Sequence, residues 1–150
     1  MLTRDEICRL IPHRDPFLWI DEVVEESANA LLARKFISPE LDLFRGHYPG
    51  RPIPPGVLLC EAAMQAGAVL IARQGLSAGE AGPSLPAGRV PVATRINTVK
   101  FRQMVRPGDT LEIEVALTER LGDAFFLSAR IKVAGKTAAQ LEFACTLAIA

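Results

Sequence analysis

The sequence predicts an α+β fold in which a curved antiparallel β-sheet wraps around one long central helix. From Gly56 to Gln74 the chain has no proline, and between Val57 and Ala72 only Glu61 and Gln65 are strongly polar. A helix that is apolar nearly all round must be buried on every side. The C-terminal third instead alternates apolar and polar residues, which is typical of strands with one buried face. Together these patterns predict a sheet that encloses the helix.

Length and composition fit one domain spanning residues 1–150, with 49% hydrophobic and 23% charged residues. Because 17 basic residues balance 17 acidic ones, no overall charge attracts nucleic acid or a membrane, and any charged partner must be recognised by a local patch. The three cysteines are widely separated and indicate neither a disulfide framework nor a metal site. With no signal-peptide pattern and no bilayer-spanning stretch, we expect a cytoplasmic protein.

The N-terminal segment predicts a short helix followed by a hairpin. Thr3 and Glu6 have the spacing of a capping box, and Pro12 ends the helix. The segment 17–24 is rich in strand formers, and 30–37 reads as its antiparallel partner after a Ser-Ala-Asn turn. We therefore expect a two-stranded hairpin before the central helix.

Proline and glycine mark two connections. Residues 42–55 contain four prolines and two glycines, which no helix or central strand tolerates, so this segment is predicted to be a rigid loop. Residues 75–88, rich in glycine, serine and proline, are predicted to be a flexible connection after the central helix.

The segment after this connection predicts a four-stranded antiparallel meander with one apolar face. Turn residues separate its strands at 107–109, 122–123 and 134–136. The four predicted strands are 99–105, 111–117, 125–133 and 141–149.

Two histidines are the candidates for proton transfer near neutral pH. His47 lies in the proline-bound loop, where the backbone can aim a side chain rigidly. His13 follows the first helix in a Pro-His-Arg-Asp-Pro sequence, and a turn or loop-anchoring role is favoured for it over catalysis. His47 is therefore the candidate catalytic histidine, with a hydrogen-bonded loop histidine as the alternative.

Glu61 is the candidate catalytic carboxyl. A carboxyl on a buried apolar helix must either be paired or have a raised pKa, and both states suit an acid catalyst. The alternative is a structural salt bridge to Arg95 or Lys100. Gln65 lies one turn further on the same face, where it can hold this carboxyl, bind a substrate amide or serve as a core amide.

The start of the central helix offers a third group. Two prolines precede Gly56, but no Ser, Thr, Asp or Asn is available as an N-cap. The N–H groups of Gly56 and Val57, at the positive end of the helix dipole, are positioned to polarise a carbonyl oxygen. Satisfaction of these amides by loop carbonyls or water is the alternative.

These residues resemble the signature of a known family. His-Tyr-Pro-Gly-Arg-Pro-Ile-Pro-Pro-Gly-Val-Leu from His47, followed by Glu-Ala-Ala-Met-Gln from Glu61, is similar to the (3R)-hydroxyacyl-[acyl carrier protein] dehydratases of the FabZ type. The Pro-His-Arg-Asp-Pro-Phe segment at 12–17 and the blocks at 100–102 and 107–109 are also similar, so the resemblance covers essentially the whole chain. It implies the hot-dog fold.

The resemblance also implies a mechanism and site residues. His47 is the base that takes the α-proton of a 3-hydroxyacyl thioester, Glu61 is the acid that helps the β-hydroxyl leave, and Gly56 is an oxyanion donor. A glutamate rather than the aspartate of the dehydratase-isomerases favours dehydration without isomerisation. No metal or redox cofactor is implied.

The implied partner is an acyl carrier protein that holds the acyl chain on phosphopantetheine, in fatty acid or related lipid or polyketide synthesis. The implied assembly is a homodimer with shared sites, or a trimer of dimers forming a hexamer. Because acidic carrier proteins require a local positive patch, four basic residues are candidates for docking. They are Arg51, Lys100, Arg102 and Arg106.

Two positions depart from the family pattern. Arg95 is bulky at a usually small position, and Asn97 replaces a common aspartate. Since the histidine and glutamate are intact, these differences argue for an altered acyl tunnel or a specialised pathway rather than lost catalysis. The alternative functions are a hot-dog thioesterase, which needs no histidine at position 47, and a non-catalytic acyl-binding subunit.

Overall fold

A computed structural model describes residues 1–74 and 88–149 and confirms the predicted fold of a sheet around a helix. The predicted flexible connection, apart from Gly88, lies outside the described residues. A single turn of 3-10 helix at Asp42–Arg45 interrupts the predicted loop. The helices are α1 (Arg4–Leu10) and α2 (Gly56–Arg73), and the strands are β1 (Glu22–Glu26), β2 (Ala30–Phe36), β3 (Arg89–Phe101), β4 (Thr110–Leu121), β5 (Ala124–Val133) and β6 (Lys136–Ile149).

The first helix begins at the predicted capping box. The side chain of Thr3 accepts a hydrogen bond from the Glu6 amide, and the Glu6 carboxylate accepts one from the Thr3 amide. These bonds satisfy N–H groups that the helix itself cannot. Ile7 is fully buried and fixes α1 against the core.

The central helix α2 is enclosed by the sheet. It has the length and hydropathy of a membrane-spanning helix, but most of it is buried inside this fold, as expected of a core helix. A Cβ at Gly67 would lie 2.7 Å from the ring of Phe143 on β6. Since Phe143 is itself buried, glycine at this position lets helix and sheet approach closely.

The six strands form one antiparallel sheet in the order β1-β2-β4-β5-β6-β3. The prediction of a strand at 99–105 that pairs with the next strand is wrong in its bounds and in its partner. The observed β3 ends at Phe101 and pairs with β6 rather than with β4. The free edge of β4 is taken by β2, and Ile37 extends this pairing by hydrogen bonds with Gly108 and Asp109. The meander therefore has three strands, β4, β5 and β6, rather than the predicted four, and β3 lies next to β6 at the edge of the sheet.

The predicted first hairpin forms, but its first strand begins at Glu22 rather than at position 17. Leu18, Trp19 and Ile20 are buried without being part of a strand. The Trp19 amide donates to the side chain of Gln65 on α2, so this segment is bound to the helix instead of the sheet. Its strand-forming composition reflects burial.

Candidate active site

His47 lies in the loop between the 3-10 helix and α2. Its amide donates to the Leu43 carbonyl at 3.0 Å, and its ring stacks on Tyr48 with centroids 4.6 Å apart. The Nδ1 atom lies 2.6 Å from the carbonyl oxygen of Ile53. Because a carbonyl oxygen only accepts hydrogen bonds, the neutral ring has its proton on Nδ1. This leaves the Nε2 lone pair free to act as a base.

Glu61 projects from the second turn of α2, and its side chain is 20% exposed. Oε1 accepts a hydrogen bond of 2.9 Å from Nε2 of Gln65 and lies 3.5 Å from Nε2 of His13. The contact with His13 lowers the pKa of Glu61, burial opposes this effect, and the Gln65 hydrogen bond adds to it. The carboxyl is thus paired, and the alternative of a raised pKa is wrong.

The two residues predicted as salt-bridge partners of Glu61 are also wrong. Arg95 and Lys100 are exposed on β3, and neither forms an ion pair with Glu61 within the described ranges. The partner is His13, which the sequence associated with loop anchoring. The loop is instead held by Arg14, whose Nη1 donates to the carbonyls of Ile11 and His13.

Gln65 is fully buried, and its amide group has no unused N–H. Its Nε2 donates to the Phe17 carbonyl and to Glu61, while its Oε1 accepts from the Trp19 amide at 2.7 Å. Both amide hydrogens are therefore engaged inside the protein. Gln65 holds the carboxyl, as one of the predicted alternatives has it, and has no N–H left for a substrate amide.

The N-terminus of α2 is uncapped by any side chain. Leu58 donates to the Pro55 carbonyl, but in residues 1–74 and 88–149 the amides of Gly56 and Val57 have no hydrogen-bond partner. A Cβ at Gly56 would lie 2.9 Å from the ring of Phe101. The two uncapped amides therefore lie at the positive end of the helix dipole, and the ring of Phe101 occupies the space that a side chain at position 56 would need.

Within one chain the two predicted catalytic residues make no polar contact with each other. No hydrogen bond or ion pair joins His47 to Glu61 in the described part of the chain. The four candidate docking residues are exposed, and none of their side chains has a carboxylate partner among the residues described, although the backbone amide of Arg106 donates to Asp109. Lys100 and Arg102 flank Phe101, which places their backbone near the N-terminus of α2.

The two departures from the family pattern both lie on β3. Arg95 pairs with Ala144 of β6 and Asn97 with Glu142, and both side chains are exposed. Over the described ranges no group of three or more His, Cys, Asp or Glu side chains is arranged to hold a metal ion.

Comparison with known proteins gives a consistent family. The model of the FabA-like domain matches residues 11–142. The chain is 42% identical to 3-hydroxyacyl-[acyl-carrier-protein] dehydratase FabZ of Chloroflexus aggregans, with 97% of each chain covered. It is 39% identical to the enzyme of that name from Oenococcus oeni, which covers 85% of this chain and 88% of the relative.

Solved structures support the fold at lower identity. The dehydratase heterocomplex ApeI:P from Xenorhabdus doucetiae matches with a TM-score of 0.75 and 18% identity, over 95% of this chain and 90% of that one. A hypothetical thioesterase with coenzyme A from Streptococcus pneumoniae matches with a TM-score of 0.64 and 11% identity, over 85% and 84%. Because dehydratases and thioesterases share this architecture, the likeness establishes the fold alone.

Proposed function

The chain belongs to the FabA-like family, and from this premise we propose that it is a 3-hydroxyacyl-[acyl carrier protein] dehydratase. The reaction removes water from a (3R)-3-hydroxyacyl thioester and yields the trans-2-enoyl thioester. Fatty acid synthesis, or a related lipid or polyketide pathway, supplies the substrate. The reaction breaks the α-C–H bond and the bond from the β-carbon to the hydroxyl oxygen, and it forms the double bond without net oxidation or reduction, so it needs no redox cofactor.

One observation supports this function most directly, namely the 2.6 Å contact between Nδ1 of His47 and the Ile53 carbonyl. It orients the ring and leaves Nε2 unprotonated. An imidazole held in this state can take the α-proton of a thioester. The proline-bound loop keeps the ring in place through the reaction.

Glu61 completes the elimination. It donates a proton to the β-hydroxyl, which leaves as water while His47 takes the α-proton. The active enzyme therefore holds one proton on this pair, on Glu61 for dehydration and on His47 for the reverse hydration. Because the pKa of Glu61 is lowered, the ionised carboxylate that activates water for hydration is readily formed.

The thioester oxygen is bound at the start of α2. Removal of the α-proton places negative charge on this oxygen, and N–H donors that are already oriented stabilise it. The amides of Gly56 and Val57 are uncapped by any side chain and lie at the positive end of the helix dipole. They are the oxyanion donors of the proposed mechanism.

The active unit is a homodimer with shared sites. The strand β3 is at the edge of the sheet and exposes a row of apolar side chains. A long apolar edge strand is a surface that a second chain covers. In this dimer His47 of one chain faces Glu61 of the other, which accounts for their separation within one chain, and three dimers assemble into a hexamer. The exposed apolar residues of β3 are Val92, Ile96, Val99 and Phe101.

An acyl carrier protein docks beside the site and delivers the acyl chain on phosphopantetheine. The patch formed by Arg51, Lys100, Arg102 and Arg106 attracts its acidic surface. These residues are exposed, and their side chains have no carboxylate partner within the described ranges, which supports this role. We place the protein in the cytoplasm, in keeping with its free cysteines.

The test is an absorbance assay with a crotonyl thioester. Hydration removes the enoyl chromophore without releasing a thiol, and this result is expected. Thiol release would identify a thioesterase, and no change with demonstrated binding would identify a non-catalytic subunit, so either would overturn the proposal. Mass spectrometry of products from 3-hydroxyacyl carriers of several lengths then gives the chain-length preference.

A further inference from the structure

His13 makes its only described polar side-chain contact with Glu61. Its Nε2 lies 3.5 Å from Oε1 of Glu61, and its Nδ1 is buried without a hydrogen-bond partner in the described chain. Arg14, not His13, holds the backbone of the loop. The His13 ring therefore acts on the carboxyl group of Glu61 rather than on the loop backbone.

The two carboxylate oxygens of Glu61 have different surroundings. Oε1 contacts both Gln65 and His13, whereas Oε2 has no hydrogen bond or ion pair within residues 1–74 and 88–149. We propose that His13 is a positioning residue of the dehydratase site, which with Gln65 holds Oε1 so that protons exchange with the substrate through Oε2. This inference rests on the proposed function and adds a residue to its site.

The proposal has a consequence for pH dependence. Since the active enzyme holds one proton on Glu61 and His47 together, activity falls at low pH when both are protonated. The pKa of Glu61 determines that acid limb, and the contact with His13 is the main cause of its lowering. Loss of the N–H donor at position 13 raises the pKa of Glu61 and moves the acid limb to higher pH.

Among the described residues, the other titratable groups on elements packed against α2, Cys8 of α1 included, form no hydrogen bond or ion pair with Glu61. Burial raises the pKa of the Cys60 thiol and raises the pKa of Cys145 to about 11, so both thiols are neutral. In the proposed dimer, His47 of the partner subunit also faces the carboxyl. The charged side chains of those elements that are not exposed bind other groups: Arg4 binds Asp15 and Asp21, Glu6 binds Thr3, Arg34 binds Glu112, Lys35 binds Asp21, Arg73 binds Glu26, Arg89 binds Asp123 and Lys132 binds Glu114.

The experiment compares His13→Leu, which has no donor, with His13→Gln, whose amide N–H reaches the position of Nε2. Crotonyl-thioester hydration is measured across pH for wild type and both variants. We expect His13→Leu to shift the acid limb of kcat/KM upward by about one pH unit and to lose roughly tenfold in turnover. His13→Gln should restore most of the turnover and most of the wild-type position of the acid limb. The basic limb should have the same position in all three proteins.

A carboxyl-carbon NMR titration of Glu61 gives a second readout that does not depend on turnover. We expect a higher Glu61 pKa in His13→Leu than in wild type. A structural role alone for His13 would be indicated by a different result: the wild type is active, both variants lose activity equally at every pH, and the pKa of Glu61 does not change. An inactive wild type would instead overturn the proposed function, so the two failures are distinguishable.

Discussion

Nε2 of Gln65 donates a hydrogen bond of 2.9 Å to Oε1 of Glu61, one helical turn earlier on α2. The same amide group binds the Phe17 carbonyl and the Trp19 amide, which lie in the segment after α1. Gln65 thus joins the candidate acid to a buried stretch of chain that is distant in sequence. Fold stability and the geometry of the site depend on the same side chain.

We predict that Gln65→Leu destabilises the protein. The change leaves the buried Trp19 amide without a partner and removes the hydrogen bond to the carbonyl of the half-exposed Phe17. Because one buried unsatisfied group costs about 1 to 3 kcal/mol, the free energy of unfolding should fall by about that amount. Urea unfolding measures this. The control is Gln103→Leu, where the glutamine makes no described side-chain hydrogen bond. Equal stability of the two variants would contradict the prediction.

The sequence predicted elements whose determinants are local. The apolar helix and the capping box follow from residues close together in the chain, and both are confirmed. The sequence does not predict that β3 lies next to β6. This placement depends on β2, which pairs with the free edge of β4 and leaves only the edge at β6 for β3. Likewise the composition of residues 17–20 indicates a strand, but it does not show that Gln65 takes the Trp19 amide.

We predict that His47→Ala and Glu61→Gln each lower turnover by at least about a hundredfold, as expected for a positioned base or acid. Both proteins should remain folded in circular dichroism and thermal melts. Crotonyl-thioester hydration at saturating substrate measures the loss. Glu40→Gln is the matched control, because Glu40 is exposed and its carboxylate has no described partner, and it should retain full turnover. Near wild-type turnover in either site variant would remove that residue from the mechanism.

The site was predictable only in part. His47 followed from the small number of histidines and the rigid loop, and Glu61 from its isolation on an apolar helix. The contact of His13 with Glu61 was not predictable, because it depends on how the loop after α1 packs on α2. The Pro-His-Arg-Asp-Pro sequence was the only signal, and it indicated a turn without indicating what the ring would contact.

We predict that replacing Arg102 and Arg106 together by glutamate weakens use of an acyl carrier substrate. The charge reversal repels an acidic carrier, so KM at low salt should rise roughly tenfold or more, with a smaller effect at high salt. Turnover of a crotonyl thioester of N-acetylcysteamine, which has no carrier, should not change. Arg130→Glu on the exposed face of β5 is a control for charge reversal away from the docking patch. An unchanged KM for the carrier substrate at low salt would place docking elsewhere.

The last prediction concerns shared sites. If His47 of one chain acts with Glu61 of the other, a mixed dimer of His47→Ala and Glu61→Gln chains has one site with both defects and one intact site. Random pairing makes about half of the dimers mixed, each with one good site of two, so turnover should recover to about a quarter of wild type from inactive parents. Coexpression followed by hydration assays on the unseparated population measures this recovery. The mixed dimer purified through two affinity tags should reach about half of wild-type turnover, because one of its two sites is intact.

The matched control pairs a Glu61→Gln chain with a chain that has both substitutions. In that dimer each of the two shared sites lacks Glu61, so no activity should return, although folding, tagging and assembly are the same. Recovery in the first mixture but not in the second is the result that shared sites require. No recovery in either, with mixed dimers demonstrated by native mass spectrometry, would place both residues in one subunit's site. Such a result would require a rearrangement that brings His47 and Glu61 together within one chain, where the present structure has no hydrogen bond or ion pair between them.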